Sequence, residues 1–172
     1  LPAQHAVFGQ QSLLGIPVAV WMLLVFTTIG VILLRSSSFG RELYAMGGNP
    51  KAAWTAGINV TRNRIIIYMI SGLMASIAAL IFTSKLMSAQ VSIGQGSELD
   101  AIASAVIGGV SMAGGEGNIL AAVVGALVIV MLNNGLNLMR VSPYIQTAIK
   151  GSVIFIAIAS DVIRRRKELQ QH

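Results

Sequence analysis

The sequence contains no cysteine, and its two histidines, His5 and His172, lie at opposite ends of the 172 residues. Disulfide frameworks and thiolate metal sites are therefore excluded, and no metal site is expected. Charge is also scarce: 10% of the residues are Asp, Glu, Lys or Arg, where an ordinary soluble domain carries about a quarter. The long apolar runs hold no histidine and no paired carboxylates, so neither a Ser/His centre nor a two-aspartate centre can be assembled within them. Ser104 and Ser111 lack a base, and no enzymatic activity is expected of this chain. A phosphate-binding loop is missing too, because the glycine cluster at Gly114, Gly115 and Gly117 is not followed by the Lys and Ser/Thr that such a loop needs.

What is abundant is apolar surface, at 55% of the residues. That balance makes lipid the main solvent. A formal charge of +6 would suggest nucleic acid in a soluble protein, but here the basic residues fall in short stretches between apolar runs. Positive-inside membrane topology accounts for them, and no nucleic-acid partner is expected. The chain starts at Leu1, and its first apolar run has no basic leader or small-residue cleavage site, so it reads as a piece of a longer polypeptide.

Residues 13–34 are uncharged and, at about 1.5 Å per residue, long enough to cross the hydrocarbon core. Residues 35–64 follow, with Arg35, Arg41, Lys51, Arg62 and Arg64 against the single acid Glu42, an excess that predicts a cytoplasmic loop. Residues 65–84 and 119–139 form two further uncharged runs, and Pro143 opens a last segment to residue 163, interrupted by Lys150. Arg164, Arg165, Arg166 and Lys167 begin a basic tail, 164–172, placed in the cytoplasm.

The run 101–113 is too short to cross alone in contact with lipid. It is a buried half-span, a re-entrant segment, or a helix that begins earlier in the preceding connector. The two cytoplasmic anchors share a side only if an even number of crossings separates them, which favours counting 101–113 as a crossing. The expected fold is all-α: a polytopic transmembrane bundle with about five crossings, forming one domain over 1–172 and carrying a short cytoplasmic helix. Small residues at Ala101, Ala105, Gly109 and Ala113, at Ser71, Ala75 and Ala79, and at Ala121 and Gly125 recur at fourth positions and predict close helix packing. Met69, Met74 and Met131 are read as adaptable packing.

The loop between the first two runs is ordered punctuation. Gly47 and Gly48 precede Asn49, a good N-cap; Pro50 fits the first helical position; Gly57 can end the helix in a left-handed conformation. A helix over 50–56 is predicted. So short a helix is marginal on its own and must dock onto something. Ala52, Ala53 and Ala56 give it low relief beside Lys51, while Trp54 is a large amphipathic anchor, suited either to a protein partner or to the lipid headgroups.

The run from Gly40 through Ala53 (GRELYAMGGNPKAA), completed by Gly57-Ile58-Asn59-Val60, resembles the cytoplasmic coupling loop of ribose-type sugar ABC transporter permeases, a family that includes branched-chain amino acid permeases. A second block runs from Asp100 to Gly109 and on through Ser111, Gly114, Gly115 and Gly117. A third is Leu132-Asn133-Asn134-Gly135-Leu136-Asn137-Leu138 with Val141-Ser142-Pro143. All three occur in the family's order, and members of that family are longer chains than this one.

The resemblance implies a multi-pass subunit of the bacterial inner membrane that pairs with a second permease subunit, identical or different. It implies an external substrate-binding protein and cytoplasmic ATPase subunits that hold ATP and Mg, so that this chain needs no cofactor of its own. The segment from Gly48 to Gly57 would be the ATPase-coupling element. An ion-coupled secondary transporter or channel is the alternative that glycine breaks and half-helices allow. Branched-chain amino acids or nucleosides are the alternative cargoes.

Asn133, Asn134 and Asn137 lie within about one turn, and their amides suit either sugar hydroxyls along a pathway or bonds between helices. Glu98, Asp100 and Lys150 are the ionisable groups at membrane depth. Lys150 can pair with Asp100 or snorkel to the headgroups. Arg140 and Lys85 are candidates for contact with an external protein, and Asp161 and Arg165 are spaced for an ordinary helical ion pair.

Overall fold

A computed structural model describes residues 12–13, 15–88 and 94–169, with side chains over 15–88 and 94–159. His5, His172, the middle of the connector before residue 94 and the side chains of Asp161, Arg165 and the basic tail lie outside the described residues. The chain divides into two compact units, Leu1–Gln95 and Gly96–His172. Seven helices and one minimal hairpin make up the described secondary structure.

In the first unit, β1 (Ser12–Leu13) and β2 (Ile16–Pro17) pair antiparallel. Gly15, at φ +81, supplies the left-handed turn between them. That hairpin takes up the start of the first expected span, so α1 runs over Val18–Ser36 instead of 13–34. Next come α2 (Ser38–Gly48), α3 (Pro50–Thr55) and α4 (Val60–Leu86). Helix α4, at 27 residues, is about 40 Å long; it extends beyond the expected uncharged run 65–84 at its two ends, through Arg62 and Arg64 and through Lys85. Gly47 and Gly48, expected as loop, form the last turn of α2.

In the second unit, α5 (Ser97–Ile107), α6 (Ile119–Leu138) and α7 (Pro143–Leu169) follow. Helix α5 packs against both α6 and α7. It runs antiparallel to α6: Gly108 meets the backbone of Ala121 and Ala122, and Gly125 meets the Ser104 carbonyl. A Cβ at Gly108 would stand 2.5 Å from Ala122 Cα, so the glycine permits main-chain contact.

Among the described residues three helices, α1, α4 and α6, are long and apolar enough to cross a membrane; the apolar part of α7, Pro143–Ala159, is shorter. The run 101–113 is not one helix. It starts earlier, at Ser97, and stops at Ile107, because Gly109 turns left-handed at φ +78 and Val110 N–H closes the end on Ala105 O at 2.9 Å. Its 11 residues give about 16 Å, half of a hydrocarbon core.

The small-residue stripes are used selectively. Gly125 is buried, as expected, but the stripe at Ala101, Ala105, Gly109 and Ala113 is displaced: Ala103 is fully buried, at 0% exposed, while Ala101, Gly109 and Ala113 stay exposed. Ser71, Ala75 and Ala79 are exposed on α4, and Met69 and Met131 are exposed rather than packed. Large apolar side chains point outward along α1, α4 and α6, whereas the buried positions include Asn63, Ser84 and Gln146. This inversion of the soluble pattern is what lipid as solvent permits.

Candidate functional site

The most sharply built element of the first unit is the corner made by α2 and α3. Ser37 stands between α1 and α2, and its hydroxyl oxygen accepts from Gly40 N–H at 3.0 Å. Asn49 alone separates α2 from α3. Its backbone N–H donates to Ala45 O at 3.1 Å, ending α2, while its Oδ1 accepts from Lys51 N–H and Ala52 N–H, both at 3.1 Å, starting α3. Pro50 occupies the first helical position, where a missing N–H leaves nothing unpaired.

The helix ends at Thr55, one residue short of the expected 50–56, and Ala56 forms the C-cap. Gly57 is left-handed at φ +87. Its N–H donates to Trp54 O and that of Ile58 to Ala53 O, each at 3.0 Å, the paired bonds of a Schellman stop. Asn59 then caps α4 by accepting from Arg62 N–H at 3.0 Å.

Of the expected coupling residues, Gly48, Asn49, Pro50, Lys51, Ala52, Trp54, Ala56 and Gly57 are all exposed. Trp54 is 72% exposed. Ala53 is the exception: at 4% exposed it faces inward, so it seats the helix and is not part of a presented surface. Pro50, Lys51, Trp54, Thr55 and Val60 line an open, shallow groove. Six residues could not hold a helix in water by themselves; the two caps and the seated Ala53 do so.

One contact was not legible in the sequence. The Asn63 side chain, 4% exposed in the first turn of α4, donates from Nδ2 to Glu42 Oε2 at 2.7 Å. Helix α2 itself was also missed, although the serines at 36–38 before an apolar residue at Phe39 are an N-cap signal.

The asparagine cluster lies in the second unit. Asn133 Nδ2 donates to Asp100 Oδ2 at 3.1 Å, and Asp100 Oδ1 sits 2.6 Å from Lys150 Nζ. The expected pairing of Lys150 with Asp100 is therefore present, and it ties α5, α6 and α7 together. Asn133 Oδ1 is buried without a hydrogen-bond donor. Asn137 Oδ1 accepts from Gln146 Nε2 at 2.9 Å, and the same nitrogen donates to Val141 O at 2.9 Å. Asn134 is exposed. Asn133 and Asn137 thus act between elements of the unit. Glu98, Lys85 and Arg140 are exposed, and Arg140 is left-handed at φ 55.

Comparison with known proteins gives one consistent answer. The model of the family described as branched-chain amino acid transport system / permease component matches residues 2–158. The ribose import permease protein RbsC of Bacillus subtilis is 50% identical over 155 residues, which cover 90% of this chain and 48% of that protein. The Escherichia coli K12 protein of the same name is 45% identical over 154 residues, 90% of this chain and 48% of its own length. The xylose transport system permease protein XylH of Haemophilus influenzae is 42% identical over 153 residues, 89% of this chain and 41% of its own. The chain spans about half the length of the curated relatives it matches. No solved structure matches it significantly.

Proposed function

The chain belongs to the branched-chain amino acid transport system / permease component family, and from that premise we propose that it is part of the membrane permease subunit of an ABC importer for a sugar. The cargo follows from the relatives at 40–50% identity named as ribose and xylose permeases, which outweigh the amino acid in the family's description. The subunit would pair with a second permease subunit, receive cargo from an external binding protein and be driven by ATPase subunits holding ATP and Mg.

The observation that carries the coupling role is Trp54, 72% exposed on a helix capped at both ends and seated by Ala53. A tryptophan held that far out on a six-residue helix suits a partner's pocket. The five basic residues of 35–64 put this corner on the cytoplasmic side, where such an ATPase would be.

The test uses the complete permease co-purified in detergent with its ATPase. Trp54→Asp removes the anchor and adds a charge the pocket would have to desolvate, so affinity for the ATPase should fall about thirtyfold, corresponding to about 2 kcal/mol for a lost aromatic hot spot, and recovery with it. Unchanged recovery, with ribose uptake also unchanged, would remove the coupling assignment. Absence of any ATPase from the wild-type preparation would turn the reading toward an ion-coupled transporter or channel.

A further inference from the structure

Helix α2 is fastened to both long helices of its unit. Toward α1, Gly40 is buried and a Cβ there would run into the backbone of Leu34, so main chain lies against main chain. Toward α4, the carboxylate of Glu42 takes the buried amide of Asn63 at 2.7 Å. At its far end α2 turns into α3 through Asn49, whose backbone and side chain bond to both helices. The α2–α3 corner is therefore stiff.

The direct link from α3 to α4 is short. It consists of residues 56–59, with a left-handed glycine at Gly57. A second connection that bypasses this turn would carry a displacement of α3 to α4 by another route. Glu42 and Asn63 are such a connection: Asn63 lies in the first turn of α4, and its burial leaves its amide dependent on the carboxylate.

We propose that the Glu42–Asn63 hydrogen bond is the strut by which α2 passes movement of the coupling helix to α4, making both of them positioning residues for transport. The proposal rests on the reading of α3 as the ATPase-docking helix.

The experiment uses the complete permease reconstituted with its ATPase and binding protein, and reads ribose taken up per ATP hydrolysed. Glu42→Ala removes the acceptor, and Asn63→Asp sets two carboxylates against each other. Glu42→Gln combined with Asn63→Asp reverses donor and acceptor and restores the bond. Each single variant should retain membrane level and ATPase recovery while the uptake-to-hydrolysis ratio falls about tenfold, and the combined variant should return to within about threefold of wild type.

A merely structural contact would lower uptake, hydrolysis and membrane level together with the ratio unmoved, and that result overturns the strut. So does a wild-type ratio in both single variants. Because Asn63 is buried, the more accessible Glu42→Ala decides the matter if Asn63→Asp fails to assemble. Loss of ATPase association in the wild type overturns the docking reading and the strut with it; an intact complex with an unmoved ratio overturns the strut alone.

Discussion

Removing one member of the Asp100–Lys150 pair should harm the second unit more than removing both. A fully buried ion pair broken from one side costs about 3–5 kcal/mol, because a charge is left uncompensated, whereas an exposed pair is worth about 0–1 kcal/mol. Here the side chains of Lys150 and Asp100 are 13% and 31% exposed. Discounting for that access puts Lys150→Met or Asp100→Asn at about 2 kcal/mol, between the two limits. The double variant leaves no unpaired charge and should recover to within about 1 kcal/mol of wild type. A swap, with Lys at 100 and Asp at 150, should not recover. Position 100 lies in the first turn of α5 and faces the Asn133 amide donor, and both favour a carboxylate there.

The assay is thermal melting of the complete permease in lipid nanodiscs. About 2 kcal/mol corresponds to about 4 °C at the low end of the usual scale, appropriate to a protein longer than this chain. Additive losses in the double variant, or a wild-type melting point for Lys150→Met, would show that the pair does not hold α5 in place.

Other outcomes follow from local geometry. Gly125→Ala sets a methyl group against the Ser104 carbonyl and should destabilise the α5–α6 contact by about 1–3 kcal/mol, read as the same melting shift. Gly135→Ala, with open space around it, should be neutral or slightly stabilising. Asn49→Ala deprives two N–H groups of their acceptor and should cost the corner about 1 kcal/mol, lowering ATPase recovery, whereas Asn49→Asp should retain it.

The parts of this fold that were legible in the sequence are those written within a few consecutive residues. Asn49, Pro50 and Gly57 specify where α3 starts and stops, and the uncharged runs specify α4 and α6, because capping, left-handed turns and lipid solvation act locally. Pairings across distance were less so. Asp100 with Lys150 was readable because a charge at membrane depth demands a partner and few were on offer. Asn63 carries no such demand: many acceptors can satisfy an amide, so Glu42 could not be singled out among them. The stripe at Ala101 and Ala105 shows the same limit, since spacing alone does not say which of several small-residue faces meets a neighbour. Ser104 and Gly108 form the contact because Gly125 and Ala121 lie opposite them on α6, and it is Ala103 that is fully buried.

Both polar contacts stand beside close main-chain packing and add direction to it. Along α4 and α6 the outward faces are smooth and apolar, and lipid solvates them almost equally in any rotation or slide. On the inner side, Gly40 against Leu34 and Gly108 and Gly125 in the α5–α6 contact already bring main chain close to main chain. A carboxylate bonded to one particular amide adds a directional constraint, since a slip of about 5.4 Å breaks it outright. Glu42 fixes α2 on Asn63, and Asp100 fixes α5 on Asn133 and Lys150. In each unit, then, one acidic side chain helps to set the register of the short helix against the long ones.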